Sequence, residues 1–402
     1  MTSRGSTGRR PRVALYSHDA QGLGHTRRNL AVAGTLQALD PAPDVLLLTG
    51  APEAAVLRRP PRTDIVGLPA MAKDTSGNYS ARHLSLVAED LSALRTSVLT
   101  GALTSFNPDL LIVDKHPWGF RGELLPALQE LSSGHTRVVL GLRDVLDDPD
   151  RSRSEWEAVG GSEALAAFYD QVWLYGDPTI YDATLALGLP AELTDRVVPT
   201  GYLAHGRLRP HGAQRTPTHP MHPPYILCLL GGGSDGDELA RTFARSELPA
   251  GHHGVLVTGP QMPDAARQEV HALVDRRDDM HVHEFLDDIE TWLACAAAVV
   301  SMGGYNTVCE VLAADRPLLI VPRVRPRTEQ LVRATALARM DAVDVVHPDV
   351  LTPLHVQTWA THAVTSAGRP RQALDLDGLT RLPDLAAALL EPTSVLEADH
   401  VA

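Results

Sequence analysis

Residues 299–332 read VVSMGGYNTVCEVLAADRPLLIVPRVRPRTEQLV, and the fold follows from how this stretch is parsed. An apolar run, Ala296–Val300, ends in Ser301, Gly303 and Gly304. A helical pattern runs from about Asn306 to Ala314, and a second apolar run, Pro317–Val321, stops at Pro322. Strand, glycine turn, helix and strand in that order put the unbonded N–H groups of a helix N-terminus just beyond the carboxyl end of a parallel strand. Such a turn suits phosphate, because glycine admits close backbone approach and the helix dipole favours negative charge. Glu310 follows Asn306 by four residues, so both project from one helix face, where a carboxylate can accept hydrogen bonds from a ribose diol. Glu329 and Gln330 come after the next strand, beside a loop holding Arg323, Arg325 and Arg327. These residues read as a nucleotide-sugar site, with diphosphate on the turn, ribose on Glu310 and sugar hydroxyls on Glu329 and Gln330.

Working outward, the order Ser-Met-Gly-Gly-Tyr-Asn-Thr, Glu310, Pro322, Glu329-Gln330 resembles the donor half of MurG-like and plant-type GT-B glycosyltransferases. The resemblance implies an α/β protein of two facing doubly wound, Rossmann-like domains with a cleft between them. It assigns donor-binding roles to Ser301, Gly303, Gly304, Asn306, Thr307, Glu310, Glu329 and Gln330. One departure concerns the sugar: MurG-like proteins usually carry Gln-Gln where this chain has Glu-Gln.

The expected division is a disordered tail over 1–11, an acceptor-binding domain over 12–204, a linker over 205–224 and a nucleotide-sugar domain over 225–373. Residues 374–402 form a terminal helix and tail, and in this fold the helix crosses back to the first domain. The linker, HGRLRPHGAQRTPTHPMHPP, holds five prolines and four histidines, and its prolines give metal ligands no fixed face.

Composition narrows the function. A formal charge of −13 opposes nucleic-acid partners and attraction to an anionic membrane. Cys228, Cys295 and Cys309 lie in apolar segments, without metal or disulfide spacing, and read as buried thiols in a reducing compartment. The first ten residues lack an apolar core like that of a signal peptide, and no run approaches 18 apolar residues. The expectation is a cytoplasmic protein.

In the first domain, Val13–Ser17 is a strand followed by His18-Asp-Ala-Gln-Gly-Leu-Gly-His25 and a helix through about Leu39. A dinucleotide fingerprint fails here because its third glycine position is Arg27. Neutral imidazole accepts a proton near pH 7, so His25 is a candidate base, with His18 as its competitor. The loop also resembles the acceptor-side glycine loop of the superfamily, which implies acceptor contacts for Gly22 and Gly24. Asp114 ends the buried strand that starts at Pro108, and it either orients His25 or caps the following loop. Trp118 on that loop reads as a platform for a sugar or planar acceptor, or as core. Arg143 follows the strand Val138–Leu142 in a Gly-Leu-Arg-Asp string that resembles a group of MurG-like glycosyltransferases, and the resemblance implies an acceptor or diphosphate contact for it, with a structural ion pair as the alternative. Met71–Tyr79 reads as a loop, Leu84–Leu103 as a helix packed on the sheet, and Asp144–Asp150 as a polar helix start.

In the second domain, Tyr225–Leu230 runs into Gly231-Gly-Gly-Ser-Asp-Gly236. No acidic residue ends the next strand, so this is not a dinucleotide motif. The resemblance instead puts Gly232, Gly233 and Ser234 near the donor diphosphate, and Phe285 against the base.

The whole implies metal-independent, inverting transfer from a UDP-sugar to a small soluble acceptor, with no cofactor beyond the co-substrate. A UDP-sugar epimerase on the same fold and a nucleotide-sugar-binding pseudoenzyme are the alternatives. A nicotinamide-dependent oxidoreductase ranks last.

Overall fold

The computed structural model describes residues 9–19, 23–73, 79–146, 161–187, 191–207, 220–286, 288–366 and 373–391, with residues 150, 154, 157 and 189. Apolar runs rich in Val, Leu and Ile form two parallel sheets, as expected of strands buried on both faces. The first sheet comprises β1 (Arg12–Ser17), β2 (Asp44–Thr49), β3 (Thr63–Gly67), β6 (Leu110–Asp114), β7 (Arg137–Arg143), β8 (Gln171–Tyr175) and β9 (Val197–Pro199). Their order is β3-β2-β1-β6-β7-β8-β9. A separate antiparallel hairpin pairs β4 (Met71–Lys73) with β5 (Tyr79–Ala81). The second sheet comprises β10 (Tyr225–Leu229), β11 (His253–Val257), β12 (Met280–His283), β13 (Ala298–Ser301), β14 (Leu318–Ile320) and β15 (Asp344–Val345), in the order β12-β11-β10-β13-β14-β15.

In each sheet the strand order reverses once, between β1 and β6 and between β10 and β13. At such a reversal the flanking helices diverge to opposite faces and leave a crevice beyond the carboxyl ends of the strands. The loops leaving β1, β6, β10 and β13 are the ones that open there.

Among the helices, α1 (Gly24–Leu36), α2 (Ala88–Phe106), α3 (Tyr305–Ala313), α4 (Glu329–Arg339) and α5 (Gly378–Leu390) shape this crevice or tie the domains together. As expected, α5 returns to the first domain. Its Leu379, Leu382 and Ala386 are buried, and the Leu379 carbonyl accepts a hydrogen bond from Thr35 Oγ1 of α1 at 2.8 Å.

Several sequence expectations need correction. Met71–Tyr79 is not all loop, because its ends pair as β4 and β5 around residues 74–78, which lie outside the described residues. The helix expected from Leu84 begins at Ala88 and buries Leu91, Arg95, Leu99 and Leu103, a strict four-residue stripe. Leu84 and Val87 precede it and are 50% and 62% exposed. The tail over 1–11 is anchored from Arg9, whose guanidinium pairs with Asp109. The helix Pro353–Thr365 has no counterpart in the sequence reading. Of the acidic run Asp144–Asp150, residues 147–149 lie outside the described residues.

Candidate active site

The loop between β1 and α1 is built by side chains. Asp19, at φ +35°, receives hydrogen bonds on Oδ2 from Ser17 (2.5 Å), Thr26 (3.0 Å) and Thr49 (2.6 Å), which ties the loop to β2. Beneath it, Arg95 and Glu123 form a fully buried pair, and Arg95 Nη2 also donates to the His18 carbonyl at 3.2 Å. A buried pair is stable only when its remaining hydrogen-bonding capacity is met. Tyr16 Oη meets part of it by donating to Glu123 at 2.5 Å.

His25 lies on the first turn of α1, and its Nδ1 is 2.9 Å from Asp114 Oδ2 at the end of β6. Arg28, one turn further, donates to both Asp114 oxygens at 2.7 and 2.5 Å. Burial pushes the Asp114 carboxyl up, but Arg28 and His25 outweigh burial and hold it well below the usual carboxylate range. Asp114 is therefore a carboxylate, and His25 Nδ1 is the nitrogen that carries the proton and donates to it. Arg28 Nη2 also lies 2.9 Å from Nδ1, but two donors cannot bond each other, so its bonds are those to Asp114. Nε2 of His25 is left with its lone pair free, on a side chain that is partly open to solvent.

His18 is buried against His116, with ring centroids 4.2 Å apart, and lies 5.7 Å from His25. Burial, reinforced by His25 and Lys115, holds the His18 imidazole well below its ordinary value; burial with His18 and Lys115 does the same to His116. Both are neutral at pH 7. His25, reachable and oriented by a carboxylate, fits a base better than His18, whose Nδ1 is buried without a partner.

The loop between β13 and α3 is built by backbone. Gly303 has φ +80°, and a Cβ there would meet Ile320 Cγ2 at 2.6 Å, so glycine is required. Ser301 is fully buried, and its Oγ accepts from the Gly303 N–H at 3.2 Å, which shapes the turn. Gly304 is the N-cap of α3 with no side-chain cap, in extended conformation (φ −58°, ψ 140°), and a Cβ there would meet nothing within 4 Å. The helix thus starts with N–H groups that no side chain caps, at an N-cap residue whose Cβ direction is open. Thr307, on its first turn, is half-buried.

The two loops meet. Asn306 Nδ2 donates to the Gly24 carbonyl at 2.7 Å. Tyr305 is buried, with the Arg28 and Arg333 guanidiniums each 5.6 Å from its ring centroid, and its hydroxyl accepts from the Leu203 N–H at 3.1 Å. Arg333 of α4 is bidentate to Asp144, just past β7, and its Nη1 donates to the Gly303 carbonyl at 3.1 Å. Burial lowers the Arg333 pKa, but Asp144 outweighs it, and the net shift is upward. Asp144, read from sequence as part of a polar helix start, and Arg333, which that reading did not single out, are thus one buried bridge between the two domains. Arg333 follows Glu329 by four residues on one helix face, a spacing that could have flagged it.

Glu310 is buried and paired with Arg27 of α1 (2.8 Å) and Arg207 (3.2 Å), so its Oε1 is already engaged. Glu329 is paired with Arg323, whose backbone N–H donates to Gln330 Oε1 at 2.8 Å. Burial raises the Glu329 carboxyl pKa, but Arg323, Arg143 and Arg333 together bring it below its ordinary value. Arg143, at the end of β7, makes no ion pair among the described residues, so the structural-pair reading fails. Gly232 and Gly233 interlock with the loop after β11: a Cβ on Gly233 would meet the Thr258 carbonyl at 2.1 Å, and the Gln261 N–H donates to the Gly232 carbonyl at 2.8 Å. Ser234 is exposed beside them, and Phe285 is 51% exposed. Trp118 is core, wedged edge-on against Phe168 and Tyr169, so its reading as an acceptor platform is corrected. Gly22 lies outside the described residues. Among the described residues no cluster of three or more His, Cys, Asp or Glu side chains is placed to hold a metal.

Several residues named above keep a buried polar atom without a partner: His18 Nδ1, Arg28 Nε, Arg143 Nε, Asn306 Oδ1 and Glu329 Oε2. Native interiors leave few such atoms, and each calls for an explanation.

Residues 226–375 match the glycosyltransferase family 28 C-terminal domain. The chain is a glycosyltransferase of the GT-B fold, and it is similar to MurG proteins. It is 27% identical over 338 residues to the UDP-N-acetylglucosamine--N-acetylmuramyl-(pentapeptide) pyrophosphoryl-undecaprenol N-acetylglucosamine transferase of Solidesulfovibrio magneticus. That alignment spans 80% of this chain and 81% of the relative. The MurG structure from Acinetobacter baumannii superposes on this glycosyltransferase with a TM-score of 0.51 and 18% identity, over 94% of this chain and 95% of MurG. The calicheamicin glycosyltransferase CalG4 gives a TM-score of 0.58 and 15% identity, over 96% of this chain and all of CalG4. Among the described residues no helix of the enzyme is long and apolar enough to cross a membrane.

Proposed function

We propose that the enzyme transfers N-acetylglucosamine or a related hexose from UDP to a hydroxyl or amine of a small soluble acceptor, with inversion at the anomeric carbon. One observation carries this reading: the His25–Asp114 pair of the first domain (2.9 Å) adjoins the uncapped N-terminus of α3 in the second, because Asn306 Nδ2 donates across to the Gly24 carbonyl, next to His25, at 2.7 Å. Inverting displacement needs a base on one side of the anomeric carbon and a stabilised leaving group on the other. Two facing domains supply these separately.

His25 Nε2 takes the acceptor proton as the new glycosidic bond forms, and Asp114 stabilises the resulting imidazolium. The bond from sugar to UDP breaks, and the diphosphate leaves with its charge facing the N–H groups of Gly304, Tyr305 and Asn306. Glu310 receives the ribose hydroxyls. For that, Arg27 and Arg207 exchange from Glu310 to the diphosphate, which keeps both guanidiniums paired. Glu329 and Gln330 hold the sugar, and Phe285 lies against the base. The countercharge comes from helix N–H groups and arginine, so the scheme uses no metal. The formal charge of −13 supports a soluble acceptor over one held on an anionic membrane.

The test is incubation with UDP-N-acetylglucosamine and a panel of soluble and lipid-linked acceptors, read by mass spectrometry. A glycosylated soluble acceptor together with free UDP supports the reading. An altered sugar nucleotide formed without acceptor selects the epimerase, and product only from a lipid-linked acceptor overturns the soluble-acceptor assignment.

A further inference from the structure

Most charges at the junction are matched. Asp114 binds Arg28, Asp144 binds Arg333, Glu310 binds Arg27 and Arg207, and Glu329 and Asp235 bind Arg323. Arg143 is the exception. Its Nε is buried with no hydrogen-bond partner, and no ion pair involves it among the described residues. Burial and the neighbouring Arg28 and Arg333 guanidiniums push its pKa down to about 10. At neutral pH it is nevertheless a cation, in a place that disfavours one. A half-buried guanidinium held near two others, with its Nε–H left unpaired, is destabilising, and proteins keep such local violations mainly at functional sites.

The position indicates which ligand would pair with it. Arg143 ends β7, next to Asp144, with Arg28, Arg333 and Glu329 among the charges that act on it. It therefore lies at the junction of the two domains, where its neighbour Asp144 is bound by Arg333 of α4. A guanidinium presents a planar fork of donors that matches two oxygens of a phosphate or carboxylate. We infer that Arg143 is the receptor for an oxyanion, a phosphate or carboxylate, carried into the cleft on a substrate. Two sources share this chemistry: the diphosphate of the donor, or an anionic group on the acceptor. The inference rests on the transferase reading only for the identity of that source.

The test compares wild type with Arg143→Gln and Arg143→Lys. In phosphate-free buffer Arg143→Gln melts above wild type, because an unmatched charge is gone, whereas loss of a merely structural arginine lowers the melting temperature. Inorganic phosphate raises the melting temperature of wild type, less so that of Arg143→Lys, and leaves Arg143→Gln unmoved. Calorimetric titration with UDP then separates the sources. Affinity that falls by about tenfold or more in Arg143→Gln assigns the oxyanion to the donor. Unchanged UDP affinity, with a phosphate response that survives UDP saturation in wild type alone, assigns it to the acceptor. A variant that melts below wild type, or a phosphate response equal in both proteins or absent from wild type, overturns the inference. A wild type that responds to phosphate through Arg143 yet binds no UDP keeps the anion site and removes the transferase reading, so the two failures are distinct.

Discussion

The two domains solve the same local problem by different means. Each sends a strand into a loop and a helix at the point where its sheet reverses order. After β13 the loop is made of backbone: Gly303 at φ +80°, a serine turned inward, and a helix N-terminus with no side-chain cap. After β1 it is made of charged and titratable side chains: Asp19 with three donors, His25 on Asp114, and Arg27 and Arg28 reaching across. Backbone N–H groups hold a permanent partial charge that pH does not change, which suits a leaving group that is always anionic. Side chains gain and lose protons, which suits the partner that must be deprotonated.

This division of labour is tested most severely at His25. Replacing it with Ala is expected to lower turnover by about 10²–10⁴-fold while UDP binding, a property of the other loop, stays as it was. Steady-state rates and calorimetry on the same preparation check both halves, and a variant with full turnover at pH 7 removes the base assignment.

The Asp144–Arg333 bridge joins the two regions. Asp144→Ala leaves Arg333 buried beside Arg28 and Arg143, and it should cost about 3–5 kcal/mol in urea unfolding. The double variant Asp144→Ala with Arg333→Met, which removes both charges, should recover much of that loss. If the single variant unfolds with the wild-type midpoint, the bridge does not hold the domains together.

At Gly303, Ala must adopt φ +80° and push Ile320 aside. The left-handed backbone alone costs about 1–2 kcal/mol, and because the turn moves, UDP affinity should fall with stability. Unchanged melting and affinity in this variant would show that the turn tolerates a side chain.

The smallest effect is one of pH. The pKa values of His18 and His116 lie below the ordinary histidine value in the folded state, so below about pH 6.5 the unfolded chain takes up protons that the folded one refuses. Stability is full above that pH and falls as pH drops, by up to about 1.4 kcal/mol per pH unit for each histidine. Urea midpoints at about pH 7 and about pH 5.5, on either side of that value, measure the slope, and His116→Asn should flatten it. A midpoint that rises on acidification contradicts the burial argument.

Much of this was legible in the chain. The β13–α3 turn announces itself because glycine, helix periodicity and apolar strands are local signals, and Glu310 and Glu329 follow at fixed offsets. The His25–Asp114 pair was legible as well, since a carboxylate ending a buried strand must face the site edge of the sheet. Arg28, Arg333 and Tyr305 were not, because their partners lie in other domains or elements far along the chain, and no local pattern encodes which distant strand end a helix will face. Trp118 could be read either as a platform or as core for a related reason: whether an aromatic on a loop turns inward depends on Phe168 and Tyr169, about fifty residues on. The engagement of Glu310 by Arg27 and Arg207 likewise emerges only when both domains are in place.

The central claim is that the N-terminus of α3 receives a nucleotide diphosphate, and the most direct test is calorimetric titration of UDP into wild type and Gly304→Asp. The site tolerates the new side chain, since its backbone is extended and its Cβ direction is open, and aspartate is a favourable N-cap worth about 0.5–2 kcal/mol over alanine. UDP is expected to bind wild type, and the variant to melt no lower yet lose UDP binding, because a fixed carboxylate occupies the place of the phosphate. Equal binding in both proteins, or none in wild type, would contradict the claim.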